Sequence, residues 1–593
     1  MIATAICFLA SAGFGCSVSP CDAGEATKSD ITPAKLVRLA LEAEAAGDLV
    51  GRSRYLARAL AADPDYAPAH WQLGEIRRGD QWVEPIQLAR DEQQVAKMSE
   101  YRRLRDRSKE SPQDQRRLAE FAAQANLPEQ ERLHVENVYR LSPDKSRVSA
   151  PLQLVPYGER FVTVAESSAL AAKAAQARSA TAIWVPRLVA MRNDIMNGSV
   201  TACEKALKEL KAIRDPGAIP ALEAATGLSS AAVGRAVVAS LAEIRAQPAT
   251  VSLVRHAVLA QDPQTRSEAL NALKSRSVYA YAPMLLSYMQ LPIETRFDTF
   301  FLDDGRPAHR LSLFQEGQSQ SLSFVSEGAL VQRISVRENG LLPRPLGAVD
   351  ESLNADRQLA QNTAQFNLLQ EQVNKRAGAA LQSLTEESLP PQPRLWWEWW
   401  AQYNEMYSPT NKPVSYMTRT SGTAPVQYQI RYHSCFVPGT EVWTMSGPLP
   451  IEDIKVGEFV LSQDVDSGEL AYKPVTATTV GPQVRKLVEI AVDGELIRCT
   501  YGHLFWVSGV GWKMAKELKP GDLLHTTSGP LPIDSIEMHG KAVCHNLIVA
   551  DFNTYFVTDQ AFLVHDINVR GPTTATVPGL VDEEEYREAP AQP

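Results

Sequence analysis

Cysteine is scarce in this chain: seven occur in 593 residues, at positions 7, 16, 21, 203, 435, 499 and 544. They are too sparse and scattered for a disulfide framework, and no C-x-x-C pair offers a zinc site. An odd number leaves at least one thiol unpaired in a monomer, and Cys435 is the candidate. A basic excess is missing too. The net charge of −9 and pI near 5.7 exclude the positive face that phosphate binding requires, which argues against a nucleic-acid partner. The same acidity makes the chain a poor ligand for anionic lipid. Beyond the first residues no apolar run is long enough to span a bilayer, so no transmembrane segment is expected. The opening run, IATAICFLASAGFG, has the length of a signal-peptide core, with Ala23 as a cleavage end. Residues 1–23 are therefore expected to direct export, to the exterior or the cell envelope. No Lys or Arg precedes the run, and a buried N-terminal helix is the alternative. Cys16 after Gly15 leaves lipoprotein anchoring open.

What is there is enough chain for about three to five domains. Residues 31–145 place apolar side chains at three- and four-residue spacing, broken by Asp63-Pro64-Asp65 and Gly79. ADPDYAPAHWQLGEIRRGDQW resembles a tetratricopeptide unit, and RLAEFAAQANLPEQERLHVENVYRLSPD a related one. Residues 198–291 resemble HEAT-like repeats. There Asp215-Pro216 and Asp262-Pro263 have the form of a capping residue followed by proline at the first helical position. Ile219, Leu222, Leu270 and Leu273 supply apolar faces. Both regions imply a scaffold for a protein partner; an unspecialised helical spacer is the alternative.

From Thr295 to about residue 342 the period changes to two, in HRLSLFQEG, SLSFVSEG and VQRISVREN, which predicts a small antiparallel sheet. Residues 350–406 return to a helical pattern, with Leu368, Leu369 and Val373 on one side. They end in a cluster of Trp396, Trp397, Trp399 and Trp400. Such rings stack on sugars or bases, but burial against a helical core is the plainer expectation. Residues 407–434 read as an extended tether.

Residues 435–566 read as all-β, in short runs such as EFVLSQD, RKLVEIAV and NTYFVT cut by Gly, Asp and Ser. SGPLPI occurs twice, at Ser446–Ile451 and Ser528–Ile533. IKVGEFVL is echoed by LKPGDLLH at a different offset. The pattern predicts a pseudo-symmetric β fold whose halves reuse the same turns. Cys499 and Cys544 lie in strand-like runs and read as core residues. His433, just before Cys435, reads as a solvated loop residue, and His525 and His539 lack metal-ligand spacing. His545 is a candidate to face the site from a neighbouring strand.

The chemistry of this segment centres on Cys435. A cysteine can attack the carbonyl directly behind it, here Ser434 C=O, through a five-membered ring, and holding both groups on one chain gives a high effective concentration. The amide nitrogen needs a proton before it leaves, and an imidazole is a natural carrier. His503 is the candidate. Thr500, three residues earlier, is placed to orient the scissile amide. The product is a thioester, which opens far more readily than an amide.

These motifs resemble the Hint domain shared by inteins, hedgehog autoprocessing domains and bacterial pretoxins. Cys435 with FVPGTEV is similar to the opening block, Thr500-Tyr501-Gly502-His503 to the T-x-x-H block, LIVADFNTYFVTD to the block before the C-terminus, and LVHD to its end. The resemblance implies autocatalytic cleavage with the chain itself as substrate, no cofactor and no metal. It also implies that His565 and Asp566 govern the C-terminal end. Inteins carry His-Asn there, whose Asn cyclises; Asp566 is ionised and a poorer nucleophile. Ile567 has no side chain to capture an acyl group, and Asn553 stands where the family often has His. Cleavage without splicing is therefore expected, at Ser434–Cys435. The alternative is a protein-binding helical scaffold bearing a degenerate, inactive Hint domain. Residues 567–593, Pro-rich and acidic, are expected to be disordered and too short for a toxin.

Overall fold

The computed structural model describes residues 31–109, 111–141, 154–157, 160–226, 230–303, 305, 307–329, 351–404, 406–407, 412–418, 431–432, 435–480, 485–566 and 573–581. The expected signal segment, the run VQRISVREN, His433, Ser434 and Ile567 lie outside the described residues.

Helix starts follow the side chains that can satisfy exposed amides. Thr32, Asp48 and Asp262 accept from the amides of Lys35, Gly51 and Thr265 at 3.3, 2.8 and 3.0 Å. They begin the helices Pro33–Ala45, Leu49–Ala62 and Pro263–Leu273. Asp215 instead caps a short 3-10 turn, Pro216–Ala218, ahead of Ile219–Thr226. The N-terminal region is not helical throughout. After Ala67–Gln72 the chain forms a hairpin, Ile76–Arg78 paired with Gln81–Val83. Gly79-Asp80 makes its two-residue turn, with Gly79 at φ 60°, the positive value such turns favour. Helices Glu92–Arg107, Pro112–Gln124 and Pro128–Leu141 follow.

A second helical body runs from Val164–Asn197 to Val278–Tyr288 and is joined by Glu351–Thr385 and Pro393–Tyr403. Trp396, Trp397 and Trp400 are buried in its core, and Trp399 is half-buried against it, so the cluster packs helices. Along the long helix Val373 packs on that core, but Leu368 and Leu369 are exposed. The small sheet comprises Glu294–Phe301, Pro307–Glu316 and Ser321–Ala329, paired antiparallel. Its fourth strand, Val414–Thr418, runs parallel to the third and comes from the expected tether. Arg431–Tyr432, also in that stretch, pairs with Met406–Tyr407.

Residues 435–566 form an 11-stranded and a three-stranded sheet. The halves repeat one local design. A hairpin, Glu441–Thr444 with Gly447–Pro450, leads to the 3-10 turn Ile451–Asp453 and the strand Phe459–Gln463. In the other half Leu504–Val507 pairs with Gly511–Met514, followed by the turn Ala515–Glu517 and the strand Leu523–Leu524. Gly447 and Gly511 hold φ 98° and 99°, and Gly457 and Gly521 hold 86° and 88°. The two SGPLPI copies are not partners in this symmetry, because the second supplies the return strand of the later hairpin, Leu523–Leu524 with Leu531–Pro532. What they share is a local turn: Ser446 N donates to Thr444 Oγ1 at 3.2 Å and Ser528 N to Thr526 Oγ1 at 3.1 Å.

The N-terminal helices are packed onto this β unit. Met98 and Tyr101 share one core with Met445, Trp506 and Phe556. Residues 573–581, expected to belong to a disordered tail, are ordered between the two. Val577 is buried beside Leu36 and Val37, and Ala575 and Val581 enter the shared core.

Candidate active site

Cys435 precedes a short bridge in which Phe436 pairs with both Cys499 and His545. The Phe436 and His545 amides each donate to the other's carbonyl at 2.8 Å, fixing the start of the unit between two strands. Thr500 ends the strand Glu495–Thr500. It meets Cys435 twice: Cys435 N donates to Thr500 Oγ1 at 2.9 Å, and Thr500 N donates to Cys435 O at 2.9 Å. The Cys435 nitrogen is the amide nitrogen of the Ser434–Cys435 bond, so the threonine hydroxyl grips the bond whose cleavage is expected.

His503 follows in the turn, where its amide donates to Thr500 O at 3.1 Å. The T-x-x-H spacing thus brings both side chains to one end of the strand. The His503 ring lies against Phe436, centroids 4.0 Å apart, and is fully buried. Burial, and after it the nearby charge of His565, push its pKa well below the usual histidine value. The imidazole is therefore held in its neutral form.

His565 ends the strand Phe562–His565. Its Nδ1 lies 3.0 Å from Asp566 O and 3.4 Å from Asp566 Oδ1. Asp566 Oδ2 accepts from Val549 N at 2.9 Å, and Asp566 N donates to Asn553 O at 2.8 Å. His565 and Asp566 are both buried. The imidazole thus sits on the carbonyl of the bond that leads to residue 567.

Tyr555, not singled out in the sequence, pairs with Val564 next to His565, and its ring lies 6.4 Å from that of Phe436 next to Cys435. Burial raises its pKa well above the usual phenol value, and Cys435 and Asp566 add to the effect. Its hydroxyl donates to Asn546 Oδ1 at 2.7 Å. The NTYF stretch carried the signal only as a short β run, and the strand Thr554–Val557 is buried at every position. Cys499 and Cys544 are fully buried. Burial and then the Cys544 and Cys435 thiols raise the Cys499 pKa well above the usual value, so Cys499 stays a thiol. Cys544 packs in one apolar cluster with Cys435. The His545 backbone flanks the site through Phe436. His525 bonds Glu44 and Gln463 elsewhere, and His539 lies 3.5 Å from Glu489. Among the described residues no group of three His, Cys, Asp or Glu side chains is placed to hold a metal ion.

The pretoxin HINT domain family matches residues 441–568. The C-terminal unit is a Hint domain. Among solved structures, the intein-like domain from Clostridium thermocellum is 33% identical, covering 22% of this chain and 99% of its own, with a TM-score of 0.22. The DnaB intein from Synechocystis sp. PCC 6803 is 17% identical, covering 23% of this chain and 99% of its own, with a TM-score of 0.21. No curated protein matches the chain. The match to this family suggests a capacity for self-processing. Among the described residues no helix is long and apolar enough to cross a membrane.

Proposed function

We propose that the Hint domain cleaves the chain at Ser434–Cys435 and does not splice it. The observation that carries this reading is the hydrogen bond from the Cys435 amide to Thr500 Oγ1, 2.9 Å long. That contact fixes the position and orientation of the scissile amide against the site as the sulfur approaches its carbonyl. Neutral His503 can take the Cys435 thiol proton as the sulfur attacks Ser434 C=O. The tetrahedral adduct then collapses: the C–N bond breaks, the imidazolium returns its proton to nitrogen, and a thioester with a free Cys435 amine results. Water or a small thiol attacks the thioester and releases the segment ending at Ser434.

At the other end, the His565 contact to Asp566 O supports carbonyl polarisation, but the Asp566 carboxylate lacks the amide nitrogen that ring closure uses. Ile567 offers no acceptor. Both features support cleavage over splicing. We further propose that residues 1–23 direct export and that the second helical body is a scaffold for a protein partner.

The test is purified chain incubated with and without a small thiol, followed by a denaturing gel and mass spectrometry of the termini. Fragments ending at Ser434 and beginning at Cys435, accelerated by thiol and lost in Cys435→Ala, are expected. A chain that stays intact under both conditions would refute the reading. N-terminal mass analysis of the same material checks export by showing whether it begins after Ala23.

A further inference from the structure

The N-terminal helices do not flank the Hint domain as a separate scaffold; they complete its core. Tyr101, Trp506 and Phe556 are fully buried in one cluster to which both sides contribute. An interface of this kind resembles a domain core cut in two, the hallmark of permanent association.

Two buried polar clusters cross the same boundary. Glu44, on the first helix, is fully buried. It accepts from Arg52 Nε at 2.7 Å, from Ser508 Oγ at 2.8 Å and lies 2.8 Å from His525 Nδ1; the last two residues belong to the Hint domain. His525 Nε2 continues to Gln463 Oε1 at 3.0 Å. On the other side, Arg52 reaches Gln72 O, and Gln72 Nε2 donates to Pro578 O at 2.8 Å. The chain of bonds thus joins the segment after the Hint domain, the first three helices and the Hint core. In the second cluster the Glu458 carboxylate takes Arg102 Nη2 at 2.9 Å and Arg105 Nη1 at 2.7 Å.

The backbones also meet closely. A Cβ on Gly509 would come within 2.8 Å of Ala45 O, and one on Gly468 within 3.2 Å of Gly579 Cα. None of these contacts involves the bond at residue 434.

We infer that scission at Ser434–Cys435 does not release the Hint domain: the partner its surface fits is the chain's own N-terminal fragment, and the products persist as a two-chain complex. The inference rests on the proposed cleavage, but the interface exists whether or not the bond is cut. The free acid or thioester at residue 434 then stays on a body that still holds the Hint domain, and processing opens the chain without discarding its catalyst.

The test separates association from self-cleavage. A protease-recognition sequence placed within residues 421–430 of the Cys435→Ala chain allows cutting that owes nothing to the Hint chemistry. After complete cutting, judged on a denaturing gel, the fragments are expected to co-elute on native size-exclusion chromatography at micromolar concentration. Separation of the fragments, from a chain shown to be folded before cutting, overturns the inference. Glu44→Ala combined with Glu458→Ala is expected to raise the dissociation rate of the cut complex at least tenfold. An unchanged rate in the folded double variant overturns the assignment of these two clusters as the clamp. Self-cleavage of the unmodified chain, read separately on a denaturing gel, reports on the proposed function alone.

Discussion

Thr500 does more than its place in a motif suggests, because its hydroxyl is the acceptor for the scissile N–H. Thr500→Val removes that acceptor and leaves a buried donor unpaired. We expect thioester formation to slow by about tenfold to a hundredfold, roughly 1.4 to 2.7 kcal/mol in the barrier, with Thr500→Ser recovering most of the rate. Thiol-induced cleavage followed over time checks this, and equal rates for the Val and Ser variants would remove the hydroxyl from the argument. His503 sets the pH behaviour. Its folded pKa lies well below 6.5, so it stays neutral as pH falls through that value, and the cleavage rate should show no inflection there. A profile of initial thiol-induced rates between pH 5 and 8 tests this expectation; a clear inflection near 6.5 would place a different histidine in the step. The same depression has a stability consequence. Below the unfolded value the unfolded chain binds the proton more readily, so this contribution weakens as pH drops under about 6.5. At the far end, Asp566→Asn supplies the missing nucleophile beside a carbonyl already bonded by His565. Release of residues 567–593, seen as a mass loss under denaturing conditions, is expected in the variant and absent in the parent chain.

At the scale of elements, the two halves of the Hint domain are built on matching glycines rather than on the repeated hexapeptide. Gly447 and Gly511 occupy equivalent hairpins at positive φ, where a Cβ costs roughly 1–2 kcal/mol. Either glycine changed to alanine should lower the melting temperature by comparable amounts, which differential scanning calorimetry on the Cys435→Ala background measures. The sequence carried the symmetry in the echo of IKVGEFVL by LKPGDLLH, which has the register of the paired glycines, whereas the identical hexapeptides mark a shared Thr–Ser turn and not equivalent strands. The helix cap at Asp262 was readable for the opposite reason: a cap is a contact over three residues. The strand Val414–Thr418 was not, since it pairs in parallel with a strand far earlier in the chain, and nothing in its own pattern names that partner.

For the whole molecule, Glu44 is a buried charge at the contact between the first helices and the Hint domain. Burial alone would raise its pKa. The charge and hydrogen bond of His525, the charge of Arg52 and the bond from Ser508 outweigh that, and the value falls to about 2. The unfolded carboxyl, near 4.5, binds a proton over a window in which the folded one does not. Its contribution to stability is therefore fully present above about 4.5 and is lost as pH falls towards 2, an effect on the order of 3 kcal/mol. Urea unfolding at pH 6, 4 and 3 should show this loss, and Glu44→Gln should flatten it; identical slopes for the two proteins would assign the acid sensitivity elsewhere.

The order of chemical groups was fixed in the linear chain: a cysteine after a cleavable bond, Thr500 and His503 on one turn, His565 and Asp566 at the close. Each is a short-range relation, set by side-chain chemistry and by spacing along a few residues. Folding alone settled that Tyr555 packs beside Phe436 and Val564, that His503 is fully buried, and that the N-terminal helices and residues 573–581 share cores with the Hint domain. Those outcomes depend on burial and on partners hundreds of residues away, and desolvation is a property of a packed interior that no local pattern carries.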